Sequence, residues 1–227
     1  MALFGGRGAN SSYGKEGVNT GGNEKPLPFY DRTELYRGMS RQEYERRIRN
    51  RKVEWIGLYN ENDEIVVAGT SNNKGAVAIP TTHPDYKKAT RMTHNHPADM
   101  KNRYVGGSFS EADVLVATSR GMNSVRAVAP ENKDYQFARV RNTKTGTSRL
   151  YKNAIKVNNT NAYGKAGSKA VSKIKAKFTR QGKTMSQKVY DQVYFGVGKQ
   201  IWQQASKGTG WEYSEKHINP NSLKPKR

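Results

Sequence analysis

Residues 91–121 read RMTHNHPADMKNRYVGGSFSEADVLVATSRG. The segment from Arg91 to His96 runs as a strand that Pro97 stops, and SEADVLVATSRG reads as a helix that opens near Ser110 and closes at Gly121. Side chains two apart on a strand share a face, so His94 and His96 present two imidazoles to one point in space. Asp113 falls in the first turn of the helix, where the helix N-terminus stabilises a carboxylate that can turn back toward the histidines. Two His and one carboxylate leave a fourth tetrahedral position to water, the layout of a catalytic zinc rather than a structural one.

Working outward, the flanking segments alternate between strand and helix. Ser40 and Glu43 form an S-x-x-E capping box before a helix of about 41–52, acidic at its start, basic at its end, with Tyr44 and Ile48 as a thin apolar face. EWIGLY (54–59), the turn NENDE (60–64) and IVVAG (65–69) read as a hairpin, with a further strand at GAVAIP (75–80). Two more strands, SVRAVAP (124–130) and YQFARV (135–140), follow the helix. Alternation of this kind over about 31–145 predicts an α/β domain.

The ends differ in composition. Residues 1–30 are rich in Gly, Asn and Ser without periodicity and read as a flexible arm. Beyond residue 150 a linker-like NNTNAYGKAGS (158–168) precedes a helix in which Val171, Ile174 and Phe178 separate from a stripe of Lys169, Lys173, Lys177 and Arg180. Val189, Val193, Val197, Ile201 and Ala205 mark a second helix of about 185–206, which Gly196 and Gly198 weaken. The division expected is therefore an arm (1–30), a metal-binding domain (31–150) and a basic helical extension (151–227).

Charge sharpens that division. The chain of 227 residues carries 40 Lys or Arg against 19 Asp or Glu, a net +21, which draws polyanions. Residues 151–227 hold 16 of these cations and only 3 acids, so nucleic acid or an acidic protein surface is the partner expected there. No cysteine is present, which removes disulfides, thiolate-zinc modules and cysteine nucleophiles and leaves a metal to His, Asp, Glu and water. Neither a signal peptide nor a membrane span is read, so the expected location is cytoplasmic, with no membrane partner. A mean hydropathy of −0.94 points to segments outside a packed core.

A metal-bound water that attacks a carbonyl needs a base, and Glu54, opening the strand EWIGLY, is the candidate. Glu61 and Glu64 are rivals, but both sit in or beside a turn. Ser110 can hydrogen-bond a developing oxyanion; S-x-x-D is also an ordinary capping box, which assigns Ser110 and Asp113 to the helix start. Of the other two histidines, His83 reads as a surface-turn residue and His217 as part of the basic tail. Zinc deaminases need cysteines that are absent, and other H-x-H metal sites need more imidazoles than remain.

An upstream strand Glu, then H-x-H-P at His94, His96 and Pro97, then S-x-x-D at Ser110 and Asp113, resembles the JAMM (JAB/MPN) metallopeptidase signature. THNHP followed by SFSEAD is similar to small JAB-like domains that accompany bacteriophage head proteins and bacterial toxins. The likeness spans about 50–140. It implies a deaminase-like α/β sandwich with a mixed sheet flanked by helices, Zn2+ held by His94, His96 and Asp113, and cleavage of a peptide or isopeptide-linked protein substrate with Glu54 and Ser110 as catalytic groups. It also implies an alternative, a structural or binding component of a virion or other assembly that keeps the fold, and hence a virion-associated location. A third expectation is a nucleic-acid-associated protein in which the charge is the function.

Overall fold

The structure, a computed structural model, describes residues 3–5, 27–97, 109–130, 133–141 and 145–218. A short β1 (Leu3–Gly5) pairs antiparallel with β5 (Ala76–Ala78). The other strands form one seven-stranded sheet. Its spatial order is β2 (Tyr30–Asp31), β4 (Ile65–Thr70), β3 (Trp55–Tyr59), β6 (Arg91–Asn95), β7 (Ser124–Ala129), β8 (Lys133–Arg139) and β9 (Trp211–His217). Every pair is antiparallel except β6 with β7. A parallel neighbour cannot be reached by a hairpin, so the chain leaves the end of β6 and crosses over before re-entering. The crossover contains α3 (Glu111–Ser119), which Ser110 caps and which ends two residues before Gly121, at φ 69.

Strand parity sorts the two faces. Across one face, Ile56, His94, Ala127 and Tyr135 form one row and Leu58, Met92, Val125, Phe137 and Tyr213 the next. These rows pack against α3, α4 (Gly146–Asn159), α5 (Ala162–Arg180) and α7 (Gly198–Ser206), through buried Val114, Leu150, Ala154, Tyr163 and Trp202. The other face takes α1 (Thr33–Tyr36) and α2 (Arg41–Ile48), with Tyr36, Tyr44, Ile48, Tyr59 and Ile65 in a second cluster. Gly57 is required there: a Cβ would stand 2.6 Å from Tyr44 Cε1, while the Tyr44 hydroxyl donates to the Ile56 carbonyl at 2.7 Å. The fold is thus α/β, a mixed sheet covered by helices on both faces.

Between α2 and the sheet lies a buried polar layer. Arg126 donates to both carboxylate oxygens of Glu45 (2.7 and 3.0 Å), to Gln136 Oε1 (2.6 Å) and to Asp134 Oδ2 (3.0 Å). Arg49 donates to Asp134 Oδ1 (2.5 Å) and to the Ala129 carbonyl (2.9 Å), and Thr93 Oγ1 donates to Glu45 (3.1 Å). Two guanidinium ions and two carboxylates offset one another's charge, which lets them stay buried.

Several expectations need correction. The helix expected over 41–52 ends at Ile48, and α2 owes its cap to Ser40 Oγ, which accepts from the Glu43 N–H. Residues 3–5, read as arm, are strand; the rest of the expected flexible arm, apart from 27–30, lies outside the described residues. The linker-like 158–168 instead closes α4 and opens α5, where Asn161 at φ 48 caps by accepting from the Gly164 N–H. The helix of 185–206 is broken at Val197, between the two weak helix formers Gly196 and Gly198, into α6 (Gln187–Gly196) and α7. Most consequentially, 151–227 is not a purely helical extension. It completes the core with Trp202 and adds β9, whose Trp211 and Tyr213 are buried while Glu212 and Ser214 are exposed. No helix among the described residues is long and apolar enough to cross a membrane.

Arg126→Met removes the cation shared by Glu45 and Asp134 and leaves two carboxylates buried against Arg49 alone. The expected loss is about 3–5 kcal/mol of stability, read from urea unfolding; a loss below about 1 kcal/mol would place the layer among weakly coupled surface ion pairs.

Candidate metal centre

His94 is the penultimate residue of β6, and His96 continues the pairing, its N–H donating to the Val128 carbonyl of β7 at 3.0 Å. Extended backbone puts both imidazoles on the helix-covered face, with their Nε2 atoms 2.8 Å apart. Asn95, between them, points the other way. Its Oδ1 accepts the Trp55 N–H at 2.7 Å, and its amide donates to the Val53 and Arg51 carbonyls at 3.2 and 3.4 Å. One residue of the H-x-H triplet therefore ties down the chain that enters β3, where Glu54 lies.

Asp113 completes the cluster from α3. Its Oδ1 stands 3.4 Å from His94 Nε2 and its Oδ2 3.6 Å from His96 Nε2. The helix start aims it: the Ser110 N–H donates to Asp113 Oδ2 at 2.7 Å, and Ser110 Oγ accepts the Asp113 N–H at 3.3 Å. Capping box and ligand are thus the same residues, two uses that are compatible because each carboxylate oxygen has more than one lone pair. All three cluster side chains are fully buried. Burial alone would raise the Asp113 pKa, but the charges and hydrogen bonds of His94 and His96 hold it well below the usual carboxylate range. Burial lowers His94, against the opposing pull of Asp113. An ionised carboxylate beside neutral imidazole is the protonation state a metal requires.

The residue before the cap has a part that sequence reasoning missed. Phe109 is fully buried, its ring 6.2 Å from that of His94 and 6.5 Å from that of His96. Its carbonyl accepts two hydrogen bonds, from Tyr163 Oη on α5 and Trp202 Nε1 on α7, each at 3.0 Å. The C-terminal helices thereby grip the peptide unit that leads into Ser110 and Asp113. Partners 54 and 93 residues away leave no local pattern to read.

Glu54 is fully buried immediately before β3. Its N–H donates to the Asn73 carbonyl (2.8 Å), and its carbonyl accepts from Thr70 Oγ1 (2.6 Å). Glu54 lies two residues before Ile56, which pairs with His94 at the end of the β3–β6 register. The rivals Glu61 and Glu64 are exposed. Glu111, not anticipated, has a pKa raised by burial at the first turn of α3, with the Asp113 charge adding to it. His83 caps the 3₁₀ turn Pro84–Lys88 and contacts Asp31 at 3.2 Å, and His217 is exposed at the end of β9; neither joins the cluster. The segment 98–108 between Pro97 and Phe109 lies outside the described residues.

The donor set suits a metal ion. One ligand atom from each of His94, His96 and Asp113 lies within 4.8 Å of the others. Ligand atoms about 2.0–2.1 Å from a tetrahedral ion stand about 3.3 Å apart, a value that the observed 2.8, 3.4 and 3.6 Å bracket. No protein-family model, curated protein or solved structure matches the chain. The metal reading therefore rests on this geometry.

Purified protein is expected to carry about one divalent ion per chain by elemental mass spectrometry, and His96→Ala or Asp113→Ala to carry none. Trp202→Phe keeps an aromatic core but withdraws one donor from the Phe109 carbonyl. Outer hydrogen bonds of this kind tune affinity by roughly tenfold or more, and chelator competition should show that weakening. Affinity equal to wild type would reduce Trp202 to a packing role.

Proposed function

We propose that this chain is a zinc-dependent metallopeptidase or isopeptidase of the JAMM (JAB/MPN) type. The observation that carries the reading is the convergence of His94, His96 and the α3 carboxylate Asp113; Glu54 is buried just ahead of β3, the strand that pairs with β6. Two imidazoles and one carboxylate are a donor set found in catalytic zinc sites, and leave room for water. A zinc bound there supplies Lewis acidity and a water acidic enough to ionise near neutral pH.

The protein's own residues do the rest. His94 and His96 offer ring nitrogens from the end of β6, where His94 is paired to strands on both sides, and Asp113 offers a carboxylate fixed by the Ser110 cap. Glu54 takes the proton of the attacking water and returns it to the leaving nitrogen, so that no free hydroxide need attack and no amide anion need leave. Ser110 Oγ accepts the Asp113 N–H, a bond that leaves its hydroxyl proton to be donated toward the carbonyl oxygen under attack. The substrate class that fits this chemistry is a peptide or isopeptide-linked protein.

One observation favours a second reading. His94, His96, Asp113 and Glu54 all have zero exposure, and closure of a site is the mark of a structural metal. In that reading the metal staples the end of β6 to α3 within a JAB-like component of a virion or other assembly.

Glu54→Gln separates the two. The amide keeps the shape but cannot accept the water proton at neutral pH, so the variant should retain its metal and lose peptidase turnover by roughly a hundred- to ten-thousand-fold. Unchanged turnover would move the base elsewhere, with Glu111→Gln as the next variant. A metal-loaded wild type that cleaves neither a peptide library nor isopeptide-linked protein conjugates would decide for the structural role.

A further inference from the structure

Between Asp134 and Asp191 the chain has no acidic residue, yet Tyr135 to Tyr190 contains 14 Lys or Arg. α5 lies at the centre of this stretch. Lys165, Lys169, Lys173 and Lys177 recur every four residues along it and Arg180 follows three later, which places all five on one face; Lys175 adds a further cation outside that row. All six are exposed, and among the described residues none makes an ion pair. An ordinary solvated helix face interleaves both signs, because like charges four apart weaken a helix. α5 carries the repulsion and is held from its other side, where Tyr163, Gly167 and Val171 are buried and Asn161 caps.

The residues between the cations narrow the partner. Ser168, Ser172, Ala176 and Thr179 are exposed and small, so nothing keeps a charged polymer from approaching the helix closely. The aromatics of α5 face inward: Tyr163 is buried and Phe178 half-buried. Single-stranded nucleic acid is gripped by stacking on exposed aromatic rings, and base sequence is read by bidentate Arg, Asn or Gln contacts. This face has no exposed ring, and its single arginine, Arg180, stands at the helix end. Lysines act as point charges toward phosphate, and at about 1.5 Å per residue the line from Lys165 to Arg180 runs roughly 22 Å, some six base-pair steps of a duplex.

We propose that the exposed face of α5 binds the phosphate backbone of duplex DNA without reading its sequence. The surface is separate from the metal ligands and does not depend on their activity. Truncation near residue 150 is unsuited to test it, because that cut removes Trp202 from the core and β9 from the sheet.

The test uses the full chain. Affinity for a labelled duplex of about two helical turns is measured by fluorescence anisotropy between about 50 and 200 mM salt, for the parent, for Lys169→Ala/Lys173→Ala/Lys177→Ala, and for the control Lys74→Ala/Lys87→Ala. Each phosphate contact contributes about 0.9 to the slope of log affinity against log salt. The triple variant should therefore flatten the slope by roughly 2.7 and weaken binding at least tenfold at the lowest salt, and the control should match the parent. A triple variant with the parent's slope and affinity would overturn the proposal, as would an equal loss in the control. Tighter binding of a single strand, or of polyglutamate, than of the duplex would also overturn it, in favour of stacking or of an acidic protein partner.

Discussion

Because β6 and β7 run parallel, the chain must leave the sheet at the end of β6 and return through a helix, and the rest of the site follows from that crossover. The departing end carries His94 and His96, and the returning helix begins with Asp113 in its first turn. Open ends of parallel strands are where α/β folds gather ligands, since the connections there are free of the hydrogen-bonded sheet while their roots are held rigidly. A hairpin in place of the crossover would leave the two imidazoles without a carboxylate facing them.

The two faces of the sheet solve different problems of buried charge. On the α2 side, Glu45, Arg49, Arg126 and Asp134 offset one another and need nothing from outside. On the other side, two imidazoles face one ionised carboxylate beside the buried ring of Phe109, which in turn packs on Phe137 and Tyr213. Such a cluster is suited to a cation, and a low-dielectric wall strengthens the hold on it. Asn95 connects the two, since it sits between the histidines in sequence and fastens the entry to β3 on the opposite side.

The C-terminal third belongs to both halves of the molecule's chemistry. Through Tyr163 and Trp202 it bonds the Phe109 carbonyl and backs the helix that presents Asp113; through β9 it completes the sheet. Its outer surface carries the uncompensated lysines of α5. A single amphipathic helix serves both purposes because its buried side begins with Tyr163 while its cations repeat on the opposite side.

Residue order alone was enough to show the α/β class, the hairpin, the strand at Arg91–Asn95, the cap at Ser110 and the grouping of His94, His96 and Asp113. Each of these is written in contacts between residues a few positions apart: strand alternation, a capping box, a proline stop. Glu54 was legible only as a strand-entry carboxylate, and that β3 lies next to β6 was decided by the sheet pairing. What the tertiary structure alone decided were the contacts across long stretches of chain. Those are the parallel pairing of β6 with β7, the double hydrogen bond onto Phe109, the Glu45–Arg126–Asp134–Arg49 layer, and the return of β9 to the sheet. A basic, glycine-interrupted C-terminal segment looks like an appendage in one dimension, because its periodicity records which face is apolar but not what that face packs against. Only packing supplies the partner, and here the partner is the Phe109 segment beside the candidate metal site.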